Sequence, residues 1–177
     1  MIPRNTMPMT FTPPPVENVL QPLAERFPGV TSSVFRGDTR VVVPAADAYA
    51  ALAFLKDLGF DLLVDVSCVD YLEYPGATSR YGLIYLLADT ATNRRLAVRV
   101  FVDDPEPAVR SVVPLWGAAD WLEREVWDLF GIRFEGHPDL RRLVMPEEFA
   151  AHPLRKDYPL QGRGERHNFP VITRDHS

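Results

Sequence analysis

The clearest helical periodicity in this chain stops at a point beyond which no ordinary helix can form. From Ala119 the apolar residues Ala119, Leu122, Val126, Leu129 and Phe130 recur at helical spacing, with Asp120, Glu123, Arg124 and Asp128 on the other faces. One amphipathic helix is expected there, and Gly131 fits the left-handed position that ends it. Beyond it stand Gly136, Pro138, Pro146, Pro153 and Pro159, which leave room for one helical turn at most, after Pro146. A segment broken in this way is ordinarily solvated. Here Phe134, Leu140, Leu143, Val144, Met145, Phe149, Leu154 and Tyr158 lie between the prolines, too much apolar surface to leave in water. The pattern calls for a domain that ends at Gly131 and an arm from Ile132 that must borrow its core from another surface.

The residues before this helix supply the domain. Val16, Val19, Leu20, Leu23 and Phe27 follow helical spacing as far as Pro28-Gly29, and residues 45–58 make a second, alanine-rich helix stopped at Gly59. Two hairpins are legible, 30–35 with 40–43 around Gly37-Asp38, and 80–88 with 95–102 around residues 89–94. Residues 60–71 read as a long apolar strand interrupted at Asp65. Asp103-Asp104-Pro105-Glu106 is a helix-start signal, although Pro107 and Pro114 keep any helix there short. Helices and strands do not alternate strictly. The expected fold class is therefore α+β, a mostly antiparallel sheet with helices packed on it, followed by an extended proline-broken C-terminal arm. Residues 1–15, rich in proline and without periodicity, are expected as a flexible lead, 16–131 as the α+β domain and 132–177 as the arm.

Composition narrows the function classes. Apolar residues make up 46% of the 177, enough for one domain with a real core. Cys68 is the only cysteine, so no disulfide and no cluster held by several thiolates can form within the chain, and its apolar surroundings make it a small buried hydrophobe. A net charge of −5 with both signs dispersed gives no basic footprint for nucleic acid. There is no run of about 18 apolar residues to span a membrane, and MIPRNTMPMTFTPPP lacks the apolar core of a signal peptide. The expectation is a chain made and kept in the cytoplasm that meets a membrane only through partners.

The blocks Glu123-Arg124-Glu125, Trp127-Asp128-Leu129-Phe130-Gly131-Ile132, Phe134-Glu135-Gly136-His137-Pro138, Leu140-Arg141-Arg142 and His152-Pro153-Leu154-Arg155-Lys156-Asp157-Tyr158-Pro159 resemble the C-type subunit of bacterial NADH:quinone oxidoreductase, respiratory complex I. The match spans about a quarter of the chain, in order. The resemblance implies a cofactor-free, non-catalytic subunit of the peripheral arm, with FMN, iron–sulfur clusters, NADH and quinone bound elsewhere in the complex. It implies a hetero-oligomer on the cytoplasmic side of the inner membrane, bracing the D-type subunit, which helps form the quinone pocket. A related accessory subunit of a membrane-bound hydrogenase-type complex is the alternative within the same resemblance.

Several residue groups invite sharper chemistry. Glu123, Glu125, Asp128 and His137 suggest acid/base catalysis in a free-standing enzyme, but Glu123 and Glu125 are two apart on a helix and point about 200° from each other. Ion pairing with the arm's Arg133, Arg141 or Arg142, or with another subunit, is the simpler reading, with Arg124 held between Asp120 and Asp128 one turn away on either side. His137, His152, His167 and His176 lack metal-ligand spacing, and His137-Pro138 and His152-Pro153 read as paired turns whose rings bond to backbone. Arg155, Lys156, Asp157 and Tyr158 could clamp an anion, but an extended docking hook suits them better. Trp116, Trp121 and Trp127 surround the helix and serve equally for packing or for an interface.

Overall fold

The structure, a computed structural model, describes residues 16–164; the expected lead at 1–15, together with His167 and His176, lies outside the described residues. In chain order the elements are α1 (Glu17–Arg26), β1 (Thr31–Phe35), β2 (Asp38–Val43), α2 (Ala48–Asp57), β3 (Leu62–Asp70), β4 (Tyr81–Ala88), β5 (Arg95–Val102), β6 (Ala108–Arg110), α3 (Ala119–Phe130) and β7 (Arg133–Glu135). The main sheet has five strands in the order β1-β2-β5-β4-β3. Within this sheet only the β2–β5 pair is parallel, so the expected α+β class with a mostly antiparallel sheet is what the chain adopts.

Strand alternation turns one face of this sheet toward the helices. Tyr81, Leu83, Tyr85 and Leu87 of β4 and Leu96, Val98, Val100 and Val102 of β5 are buried, and they share a core with Leu23 of α1, Leu52 and Leu55 of α2 and Val126 of α3. Burying a side chain of this kind contributes about 1.5–3 kcal/mol. β3 keeps Leu63 inward and then changes phase, so that Val66, Cys68 and Asp70 face the core. The cause is a bulge between Leu63 and Asp65, the same place where Asp65 interrupts the apolar run. The opposite face stays open, with Leu62, Val64 and Leu86 exposed around a concavity that Arg40, Arg95 and Arg99 also line.

Two expectations need correction. Residues 105–116 hold no helix; they place the short strand β6, whose Val109 is buried and pairs with Phe134 of β7 in parallel register. Pro107 and Pro114 remove the donors a helix would need, and three residues are too few for a strand's alternation to be read. The second correction concerns the boundary after Gly131. Ile132 and Phe134 belong to the core, Ser111 N–H bonds to the Glu135 carbonyl at 2.9 Å, and Phe149 is buried as well. Ile132, Phe134 and Phe149 thus find their burial within their own domain. The reason is positional: the arm turns back along α3, whose outer side supplies polar partners that sequence distance conceals. Past β7 the described residues of the arm hold turns and no regular element, in keeping with their prolines.

Candidate functional site

The sequence-marked residues converge where α3 meets the arm. Arg124 and Asp128 stand one turn apart on α3 and present to the same stretch of arm backbone. The Arg124 guanidinium donates to the carbonyls of Arg141 and Arg142, each at 3.2 Å, and lies over the Trp121 ring. The Asp128 Oδ2 accepts the next amides in line, those of Leu143, Val144 and Met145, at 3.0, 2.8 and 2.8 Å. A cation thus grips carbonyls and an anion grips N–H groups, one turn further along the same helix. This corrects the expectation that Asp120, Arg124 and Asp128 pair with one another. Buried Asp128 has its charge met instead by the Arg142 guanidinium, at 2.5 Å. Burial pushes the Asp128 carboxyl up, but the backbone amides and Arg142 outweigh it and hold the group below its ordinary value.

The last turn of a helix leaves carbonyls without partners, and here the His-Pro-Leu-Arg run of the arm supplies them. His152 Nδ1–H donates to the Asp128 carbonyl at 2.9 Å, the Leu154 amide to Leu129 at 3.1 Å, and the Arg155 Nε to Phe130 at 2.6 Å. Burial lowers the pKa of His152, which keeps the ring neutral in this role. Gly131 adopts φ 75°, and a Cβ there would come within 2.6 Å of both Arg155 and the His152 ring. Glycine is needed for the turn and for the arm's close approach alike.

A second anchor was not legible from the sequence. Buried Asp70, at the end of β3, accepts the Lys156 amide at 2.8 Å and pairs with Arg80 at 3.1 Å. Arg80 also reaches Asp104 at 2.6 Å and the arm's Asp157 at 2.9 Å. The hook residues Lys156 and Asp157 therefore catch on their own domain, Tyr158 packs against Phe149, and Arg155 lies over Tyr81. Desolvation opposes the charge on Asp70, yet Arg80 and the Lys156 and Leu72 amides keep its carboxyl below the ordinary value.

Glu123 occupies a separate pocket at the other end of α3. It is fully buried, accepting the Ser111 hydroxyl at 2.6 Å and the Val112 amide at 2.7 Å. The His137 ring, also buried, brings Nε2 to 3.1 Å from the Asp120 carbonyl and 4.0 Å from Glu123 Oε2. Glu123 and His137 are thus the only two of the four acid/base candidates brought together. Glu125 is exposed on the far side of α3, and Asp128 lies beneath arm amides, so the four share no substrate position. Arg133 pairs with Glu135 at 3.4 Å and Arg141 with Asp139 at 2.8 Å, both pairs at the surface. Among the described residues no group of three or more His, Cys, Asp or Glu is placed to hold a metal ion. Cys68 is buried, and desolvation lifts its thiol to about 12, far from a reactive thiolate. Trp116 is buried, Trp121 is 60% exposed and Trp127 lies between.

Residues 41–164 match the family model described as respiratory-chain NADH dehydrogenase, 30 Kd subunit. The C-type subunit of NADH-quinone oxidoreductase from Trichlorobacter lovleyi is 48% identical over 130 residues, which cover 73% of this chain and 79% of that protein. The subunit of the same name from Acidithiobacillus ferrooxidans is 42% identical over 158 residues, covering 85% and 78%. Among solved structures, a trypsin-resistant fragment (1-134) of Nqo5 superposes with a TM-score of 0.65 at 38% identity, covering 71% of this chain and 98% of the fragment. A chain of an archaeal membrane-bound sulfane sulfur reductase shares the fold, with a TM-score of 0.71 at 23% identity over 89% of this chain and 93% of its own.

Proposed function

The chain belongs to the family of the 30 Kd subunit of respiratory-chain NADH dehydrogenase, as a subunit of NADH-quinone oxidoreductase, and from that premise we propose that it is a cofactor-free, non-catalytic brace for the D-type subunit. The complex carries out the chemistry; this chain fixes the shape of a neighbouring subunit near the quinone site. One observation carries the reading. Arg124 and Asp128 of α3, with Arg142 and Arg155 of the arm, hold a proline-broken segment against α3, and that segment presents apolar side chains outward. Val144 is 56% exposed, Leu154 48% and Leu160 107%, with Trp121 of α3 at 60%. A segment already held in shape loses little freedom when a partner covers it, which is how preorganised surfaces gain affinity. No described helix is long and apolar enough to cross a membrane. Attachment at the cytoplasmic side of the inner membrane is accordingly proposed to run through the D-type subunit and neighbouring peripheral-arm subunits.

The test is Val144→Asp with Leu154→Asp in the full chain, expressed in cells that assemble the complex. The variant should melt like the parent yet fail to co-purify with the D-type subunit. Electron transfer from NADH to quinone should fall, while NADH oxidation by ferricyanide in the remaining peripheral subunits persists. Normal co-purification and quinone reductase activity in that variant contradict the docking role of the arm.

A further inference from the structure

Four carboxylates are buried among the described residues, and three of them face a guanidinium: Asp70 meets Arg80, Asp89 meets Arg94, and Asp128 meets Arg142. Glu123 meets none. An uncompensated buried charge is expensive, and a carboxyl group in that position escapes the cost by keeping its proton. The groups around it are consistent with this. From the connection between β6 and α3 come the Ser111 hydroxyl and the Val112 amide; from the turn after β7 comes His137; from the sheet comes Tyr85, its phenol held neutral by burial, with Cys68 beyond it. From α3 itself comes Asp120, a further negative charge, whose Oδ1 is buried without a hydrogen-bond partner. Arg124, the nearest cation in sequence, is turned away to the arm carbonyls.

His137 is oriented rather than free. The Asp139 amide donates to Nδ1 at 3.0 Å, so the ring hydrogen sits on Nε2, aimed at the Asp120 carbonyl at 3.1 Å, with Asp120 Oδ1 3.6 Å and Glu123 Oε2 4.0 Å away. The distance to Glu123 is too long for a hydrogen bond and short enough for attraction once a charge appears there.

We propose that Ser111, Glu123 and His137 form a buried proton-binding site at the root of the arm, whose loading and emptying changes how His137 and the turn at Asp139 are seated. With the proton on Glu123 Oε2, that O–H donates to Ser111 Oγ. When the proton leaves, Ser111 reverses and donates to the carboxylate, and the His137 Nε2–H, 4.0 Å away, is drawn toward the new charge. Drawing the ring toward Glu123 strains the Asp139 bond to Nδ1, and Asp139 stands just before Leu140 and the segment that α3 grips. Burial, the largest influence on Glu123, lifts its carboxyl to about 7 against the opposing pull of Ser111 and Val112, with Asp120 adding to the rise. The ligand is a single proton, and the exchange belongs to the neutral range. This inference goes beyond the bracing role and does not depend on it.

Carboxyl carbon and backbone amide NMR of the full chain across pH 4 to 9 tests the site, with Glu123 assigned through its own backbone and confirmed by its absence in Glu123→Gln. The expected result is a Glu123 midpoint near neutrality, with the His137 ring and the Asp139 amide moving at that same midpoint. Ser111→Ala, which removes a donor to the ionised form, should raise the midpoint by about one pH unit. That variant and the parent keep the test decisive if Glu123→Gln does not fold. Titration of Glu123 in the ordinary carboxylate range overturns the proposal. A neutral midpoint that Asp139 and His137 ignore overturns the coupling to the arm.

Discussion

Glu123 and Asp128 lie five positions apart on α3, and the two ends of the helix bury a carboxylate by opposite means. At Asp128 the arm folds over the group and surrounds it with amides and Arg142, so the ionised form is the stable one. At Glu123 the domain closes with a hydroxyl, one amide and a distant ring, which favours the neutral form. The difference lies in which segment supplies the donors. A proline-broken arm has many backbone N–H groups without partners, and Asp128 collects them; the compact body has already used its amides in strands and helices.

The strongest challenge to this contrast is to remove the arm. A chain ended after Gly131 leaves Asp128 without amides or Arg142, strips β6 of β7, and takes Ile132, Phe134 and Phe149 out of the core. Loss of one buried phenylalanine side chain alone costs about 3–5 kcal/mol. Loss of the cooperative thermal transition is expected by circular dichroism, and a melting temperature near that of the full chain would show that the arm is an addition to a self-sufficient domain.

Next in size is Asp128→Ala. It leaves Arg142 and the amides of residues 143–145 without their acceptor, at a cost on the order of 3–5 kcal/mol by chemical denaturation. Glu123→Gln, by contrast, imitates the protonated acid and should fold, and the two sites differ in the sign of their pH dependence. Glu123 has its carboxyl raised from 4.5 to about 7, so its contribution is full below 4.5 and is lost as pH rises toward 7. Asp128 has its carboxyl lowered from 3.8, so its contribution is present above that value and lost as pH falls through the folded one. Glu123→Gln should therefore exceed the parent in stability at pH 8, by on the order of 3 kcal/mol, and match it near pH 4.5. Equal pH profiles for parent and variant would mean that the charge on Glu123 is compensated after all. The smallest effect belongs to the surface. Arg133→Ala breaks only an exposed pair with Glu135 and should change stability by less than about 1 kcal/mol.

Much of the body was legible because its signals are local. The apolar spacing of α3, the stop at Gly131 and both hairpins follow from residues a few positions apart. Asp65 even marked the place where β3 shifts phase. The arm's destination was not legible, since it depends on carbonyls of α3 meeting His152, Leu154 and Arg155 more than twenty residues later. Arg124 was misread for a related reason: helical spacing puts Asp120 and Asp128 beside it, but spacing cannot show that a carbonyl pair from the arm lies closer. Asp70 and Arg80 carry no signal of their own in the sequence, one falling within the strand at 60–71 and the other opening that at 80–88. Their role emerges only when Lys156 and Asp157 arrive.

The central claim is that the arm is seated on its own α3 before any partner covers it. Amide hydrogen exchange of the isolated full-length chain tests this most directly, read at Leu143, Val144 and Met145. These amides should exchange slowly in the parent, in step with the core, and lose that protection in Asp128→Asn while the β4 and β5 amides keep theirs. Exchange at the rate of an unstructured chain in the parent would contradict the account, because the segment would then acquire its shape only from its partner.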